Sequence, residues 1–356
     1  VSPSSAPRAD KAGGADAATV LRRRRAAAQA LDGSGPRDPA GLVARLLAVQ
    51  AQDLNAARLA LRARSAGLDA AEVDRALADR SLVVGWLMRG TLHLVAAEDF
   101  GWLLGLTAPT RIAASARRLR QLGIGPDDGD RAVATIERAL AGEGPLTRPE
   151  LAERLAAACL PTEGQATPHL LMLAALRGVA VLGPVRPDGV QAFALAADWL
   201  GRAPHTALAG EQRDRALAEL ARRYLAAHGP ATDADLAAWS GLPLRDARAG
   251  LAAVAPPDDA EAPPIAPRLL PALDPYMLGW KDRSFAVAPE HARRVHPGGG
   301  VVRAVATVDG QVVGTWARRA TTVTLDLFTT IATSDRRALD AEADAVSRFR
   351  RSIAQA

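Results

Sequence analysis

The segment Gly144-Pro145-Leu146-Thr147-Arg148-Pro149-Glu150-Leu151 returns 85 residues later, from 144 to 229, as Gly229-Pro230-Ala231-Thr232-Asp233-Ala234-Asp235-Leu236. In both copies a Gly-Pro break precedes a Thr, an acidic residue stands three places after that Thr, and a Leu follows. A Thr with an acid three residues on is a capping box, in which the two side chains satisfy backbone N–H groups at a helix start. Each copy lies between apolar-periodic runs, 131–140 and 168–176 for the first, 212–228 and 244–254 for the second. A recurring unit of helix, break and capped helix commits the chain to a repeated helical architecture. Aromatic residues make up only 4% of a sequence that is 49% hydrophobic. Ala, Leu and Val must therefore fill the core, which favours helices over a β-sandwich.

Short strands punctuate the helices. Leu82 to Met88 and Thr91 to Val95 flank Arg89-Gly90, and Val179 to Leu182 with Gln191 to Leu195 flank Pro187-Asp188-Gly189; both read as hairpins. Three helices closed by a hairpin form a winged helix, a variant of the helix-turn-helix. The expected fold is mainly α with small β elements: three tandem winged-helix modules and a C-terminal β-unit. A disordered tail is expected over 1–18, with modules over 19–110, 111–205 and 206–300, the third carrying the Pro-rich insertion 256–267. A C-terminal hairpin unit and helix are expected over 301–356, where Val301 to Trp316 alternates around Asp309-Gly310, a strong hairpin signal.

The formal net charge of +5 and a sequence pI near 10.2 suit a polyanionic partner. Cys159 is the single cysteine, which excludes internal disulfides and cysteine-based zinc clusters and fits a cytoplasmic, nucleoid-associated protein. The sequence has no run of about 18 strongly apolar residues and its start lacks a signal-peptide core, so no membrane association is expected. Glycine-rich phosphate loops, HExxH and nucleophile elbows are absent, and no metal or cofactor is expected.

The candidate chemistry lies in Gln50-Ala51-Gln52, between the apolar helical run ending at Val49 and the next face beginning at Leu54. In an extended link, residues two apart project to the same side, so both amides can meet at one point. Glutamine is no base, but it accepts and donates, and a pair can orient one water. At about 0.5–1.5 kcal/mol for each hydrogen bond, the gain is roughly two- to tenfold per residue. That is sufficient only where the leaving group is already good.

Gln50-Ala51-Gln52, Arg89-Gly90-Thr91-Leu92-His93-Leu94 and Leu273-Asp274-Pro275 together resemble the AlkZ/YcaQ-type winged-helix DNA glycosylases, over roughly residues 20 to 350. The Gln at the second motif position resembles the AlkZ branch, where the YcaQ branch has Asp. The resemblance implies a monofunctional glycosylase for alkylated purines in double-stranded DNA, chiefly N7-alkylguanine adducts, with interstrand crosslinks as further candidate substrates. It serves DNA repair or self-resistance to an alkylating agent, and a monomer is expected. Gln50 and Gln52 are the implied catalytic residues. A single lysine outside the expected tail, Lys281, argues against a Schiff-base lyase. Asn55, Arg89, His93, Tyr276, Trp280, Lys281, Arg283, Arg318 and Arg319 are the candidate contacts to DNA or lesion. The rival reading is a winged-helix transcription regulator without catalysis, since fold and charge suit both.

Overall fold

The computed structural model describes residues 16–255, 261–320 and 322–354. The tail read over 1–18 lies outside the described residues as far as residue 15. Beyond it Asp16 already caps a helix, Ala17–Ala28, through the N–H of Thr19 at 2.7 Å.

The chain is mainly helical, with two small antiparallel sheets. Strands β1 (Val49–Gln50), β2 (Leu82–Trp86), β3 (Leu92–Ala96), β4 (Ala180–Val185) and β5 (Gln191–Leu195) form one sheet in the order β1-β3-β2-β4-β5. The two expected hairpins are therefore not separate: Val84 of β2 pairs with Leu182 of β4 and fuses them. Strands alternate faces. Val49, Val84, Leu94, Leu182 and Phe193 pack into one core, and Val83, Val95, Val181 and Ala194 into another. The sheet is a wall between two hydrophobic layers.

Both repeat units form as capped helices. The Glu150 carboxylate accepts from Thr147 N at 2.6 Å and opens the helix Arg148–Ala157, and that of Asp235 accepts from Thr232 N at 2.9 Å and opens Asp233–Ser240. Two features differ from the sequence reading. A single helix, Ala97–Gln121, runs through the division placed at 110/111, with Pro109 inside it. The helices Gly210–His228, Asp233–Ser240 and Leu244–Ala252 are followed by no hairpin of their own among the described residues. Instead β6 (Arg268–Leu270) joins β7 (Val305–Val308), β8 (Gln311–Arg319) and β9 (Thr322–Leu327) in a second sheet, so pairing crosses the division placed at 300/301. The helix Thr333–Ala354 follows. Among the described residues no helix is long and apolar enough to cross a membrane.

One buried ion pair fastens the C-terminal segment to the first helices. Asp274 accepts from Arg64 at 2.7 and 2.9 Å, and both side chains are fully buried. Arg64 also donates to Ala60 O and Gln29 Oε1, and Gln29 donates to Ala227 O, while Asp274 accepts from Tyr276 N. Removing one member of a buried pair leaves an uncompensated charge. Asp274→Ala is expected to lower stability by about 3–5 kcal/mol, and the joint replacement Arg64→Met with Asp274→Leu by less, read from urea midpoints.

Two histidines are also sealed in. His93 is 2% exposed and His228 0%, and burial pushes each down to about 3. The unfolded chain protonates its histidines near pH 6.5, so it binds more protons than the native state below that pH. Stability is complete above about pH 6.5 and is expected to fall as pH drops toward 3, by up to roughly 1 kcal/mol per pH unit for each histidine. Urea midpoints between pH 7 and 5, above the range in which unfolded carboxylates titrate, read this directly.

Candidate active site

Gln50 stands on the outermost strand of the wall. In register, Gln50, His93 and Gly85 form one row across β1, β3 and β2. Gly85 has no side chain because the Phe100 ring occupies that space; a Cβ there would lie 2.4 Å from it. The ladder continues one residue past the strand, with Ala51 N donating to Leu92 O at 2.8 Å. Asp53 then caps the helix Leu54–Arg62 by accepting from Asn55 N and Ala56 N. Its carboxylate is thereby committed to the helix start. Gln52 is left exposed at the bend, and Gln50 and Gln52 project together as expected.

The orientation of the two amides follows from chemistry. Arg89 Nη2 donates to a Gln50 side-chain atom at 2.9 Å, and since a guanidinium only donates, that atom is Oε1. The Nε2 of Gln50 therefore faces Gln52 and donates to its Oε1 at 2.5 Å. Both remaining donors of the pair's outer end, the Gln52 NH₂, face outward, and Gln52 Oε1 keeps a lone pair. Such an end can hold a water by one accepted and one donated hydrogen bond.

Arg89 is fixed from the opposite side. It occupies a 3₁₀ turn, Met88–Gly90, at φ +57°, a left-handed conformation that side chains other than glycine's rarely adopt. Its Nη1 donates to Trp239 O, and its backbone lies against Gly241, where a Cβ would come within 3.0 Å of Arg89 N. Burial, and then the neighbouring Arg283 and Arg111, push its pKa down to about 10, so it remains a cation at neutral pH.

Gln50, Gln52, Arg89 and Thr91 form one wall of a cavity of about 480 Å³. The C-terminal segment supplies the facing residues, with Leu273, Leu278, Arg283, His296 and the glycines 298–300. Burial, and then Arg283, push His296 down to about 4, and neither of its ring nitrogens has a hydrogen-bond partner. Among the described residues no acidic side chain lines the cavity. Gln52 also borders a second cavity of about 610 Å³, a mainly apolar one lined by Leu54, Trp86, Leu92, Leu171 and Phe193, with Arg148 and Gln191 also in its wall. There the Trp86 and Phe193 rings stack with centroids 6.1 Å apart.

Of the residues singled out by sequence, Gln50, Gln52, Arg89 and Arg283 come together. His93, Tyr276 and Trp280 do not belong to an exposed surface: Tyr276 is 0% and Trp280 2% exposed. The reading of these three as contacts to DNA or lesion is corrected, because their polar atoms serve the frame. His93 Nδ1 lies 3.0 Å from Thr91 O, Tyr276 OH donates to Gly310 O and Trp280 Nε1 to His228 O. Asn55 Oδ1 accepts from Arg58. Lys281 borders a different cavity, beside Arg25 and Asp282. Arg318 and Arg319 lie at the end of β8, where it turns toward β9. Three of the four consecutive arginines at 22–25 are likewise engaged with the protein: Arg23 pairs with Asp309, Arg22 donates to Asp309 O, and Arg25 lies over the rings of Trp280 and Phe285. His296 and the triple glycine escaped the sequence reading, since His296-Pro297-Gly298-Gly299-Gly300 carries only a loop signal.

Arg89→Lys keeps the charge but loses the fork that reaches Trp239 O and Gln50 Oε1 together. The variant is expected to retain its fold while the Gln50 amide loses its fixed orientation. A loss of catalysed turnover beyond about tenfold, with the melting temperature nearly unchanged, is the expected result.

Comparison with known proteins gives concordant matches. The model of the family "DNA glycosylase AlkZ-like" matches residues 43–349. An interstrand DNA cross-link repair glycosylase of Streptomyces sahachiroi is 32% identical over 308 residues, covering 77% of this chain and 81% of that protein. The structure of the Streptomyces sahachiroi DNA glycosylase AlkZ superposes with a TM-score of 0.77 at 27% identity, over 94% of this chain and 96% of that one.

Proposed function

The chain belongs to the DNA glycosylase AlkZ-like family, and from that premise we propose that Gln50 and Gln52 form the catalytic pair of a monofunctional glycosylase for N7-alkylated purines in duplex DNA. That it is a DNA glycosylase, a hydrolase of N-glycosyl bonds acting in the repair of alkylation damage, follows from membership. The relative's activity on crosslinks extends the proposed substrates to interstrand crosslinks joined through such purines. The remaining parts of the proposal are a monomer of three winged-helix modules, in the cytoplasm at the nucleoid, in general repair or self-resistance.

The observation that carries the assignment is the hydrogen-bonded chain from Arg89 through Gln50 to Gln52 at the edge of a cavity without a carboxylate. An N7-alkylated purine is cationic before the reaction begins, so it leaves without a general acid. As the C1′–N9 bond breaks, its electron pair stays on N9 and cancels the base's charge, while the sugar becomes an oxocarbenium ion. Water held by Gln52 adds to C1′ and its proton passes to solvent. Fixed amides suffice for this because their task is to place a water and a dipole rather than to take a proton. The apolar cavity beside Gln52, with Trp86 and Phe193, suits the base and its alkyl group. Asn55, Arg283, Lys281, Arg318 and Arg319 are proposed as contacts to DNA.

Release of base from a duplex bearing one N7-methylguanine tests the assignment. Gln50→Ala and Gln52→Ala are each expected to slow single-turnover release by about tenfold or more (about 1.4 kcal/mol for each factor of ten), with duplex binding within about twofold of wild type. Variants that release base at the wild-type rate would refute the pair's role.

A further inference from the structure

The charges around the Gln50–Gln52 pair do not suit the reaction unless another group joins them. Arg89 and Arg283 line the cavity, and among the described residues no Asp or Glu does. Neither arginine has an acidic partner among the described residues: Arg89 donates to Trp239 O and Gln50 Oε1, and Arg283 to Met277 O at 2.6 Å. Asp53, the nearest acid in sequence, is turned to its own helix start. Burial first, and then the nearby Arg283 and Arg111, depress the pKa of Arg89. Departure of the purine moves the substrate's positive charge from the base onto the sugar, beside the glutamine pair that borders this cavity. Two cations in a partly buried cavity oppose that step, because Coulomb repulsion is poorly screened there.

The substrate itself carries the missing negative charge. We infer that this cavity holds the backbone phosphodiester flanking the lesion, clamped between Arg89 and Arg283, and that this phosphate rather than a protein carboxylate is the counter-ion of the sugar cation. The inference rests on the proposed role of Gln50 and Gln52, which border the same cavity and so fix the reacting sugar within one nucleotide of it. The shape of the facing wall agrees. Gly298, Gly299 and Gly300 all have positive φ, at +109°, +61° and +78°, and a Cβ at any of them would meet nothing within 4 Å. Glycine is thus required there by conformation, and the backbone is left bare toward the cavity, where a phosphate oxygen can approach it closely. The arginines then do two things: they neutralise the phosphate enough to bring it in, and they hold it where its remaining charge faces the sugar.

The test uses duplexes with one N7-methylguanine in which the phosphate on either its 5′ or its 3′ side is replaced by a neutral methylphosphonate. Single-turnover release is expected to fall by about tenfold or more for one of the two positions. Arg283→Gln is expected to slow release from the all-phosphate duplex and to reduce the sensitivity to that neutral linkage to about twofold or less; Arg283→Lys should restore part of both. Wild-type rates indifferent to both linkages would overturn the inference and leave the glutamine pair standing. So would full linkage sensitivity in Arg283→Gln. No release by the wild type even from the all-phosphate duplex would remove the proposed substrate assignment and this inference together.

Discussion

The buried Arg64–Asp274 pair holds together the two segments that line the Gln50–Gln52 cavity. Arg64 follows the helix that Asp53 starts, directly after the glutamine pair. Asp274 lies between Leu273 and Leu278, two residues of the facing wall, and caps the short helix Pro275–Leu278. The pair joins two segments 210 residues apart in sequence and fixes their separation. Such a contact is a poor source of net stability, because both ions lose their hydration. Its value lies in geometry: a bidentate fork has one satisfactory arrangement, supported by Gln29, Ala60 O and Tyr276 N. An apolar patch of the same area would tolerate sliding by an ångström or more, and the cavity would change shape with it.

Arginine rather than acid organises the chemistry. Placing a donor-only group behind Gln50 settles which end of each amide faces outward, without any proton transfer. A carboxylate at position 50 would pair with Arg89 and be consumed as a structural ion; a neutral amide accepts the same bond and passes its polarity on to Gln52. His93 and His296 are both held neutral at pH 7 by their surroundings. Gln50, Gln52 and Arg89 supply fixed dipoles and a permanent cation.

Local rules carried much of the sequence reading. The capping boxes at Thr147 and Thr232, the Asp309-Gly310 turn and the projection of Gln50 and Gln52 depend on neighbours within a few residues, and these are legible. The helix Ala97–Gln121 was not, because Gly101, Gly105 and Pro109 look like breakers. Gly105 serves packing instead: a Cβ there would lie 2.8 Å from Leu208. Tyr276 and Trp280 looked like contact residues because an aromatic ring can stack on a base, and His93 because an imidazole can reach a phosphate or the lesion, but the partners of their polar atoms are backbone carbonyls, most of them far along the chain. The link from Arg89 to Gln50 spans 39 residues and depends on a left-handed arginine that no local preference predicts. Long-range partnership, not residue type, separated the functional residues from the structural ones.

Strand β1 is only two residues long and lies at the sheet's edge, paired on one side. Edge strands of this length open at little free-energy cost and exchange their amide hydrogens sooner than central strands. Gln50 therefore stands on the least-paired strand of the sheet, with Gln52 at the bend just beyond it. Register is maintained by the Arg89 side chain as much as by the ladder. Opening at this margin would leave the β3-β2-β4 ladder in place while withdrawing Val49 from the core in which it packs.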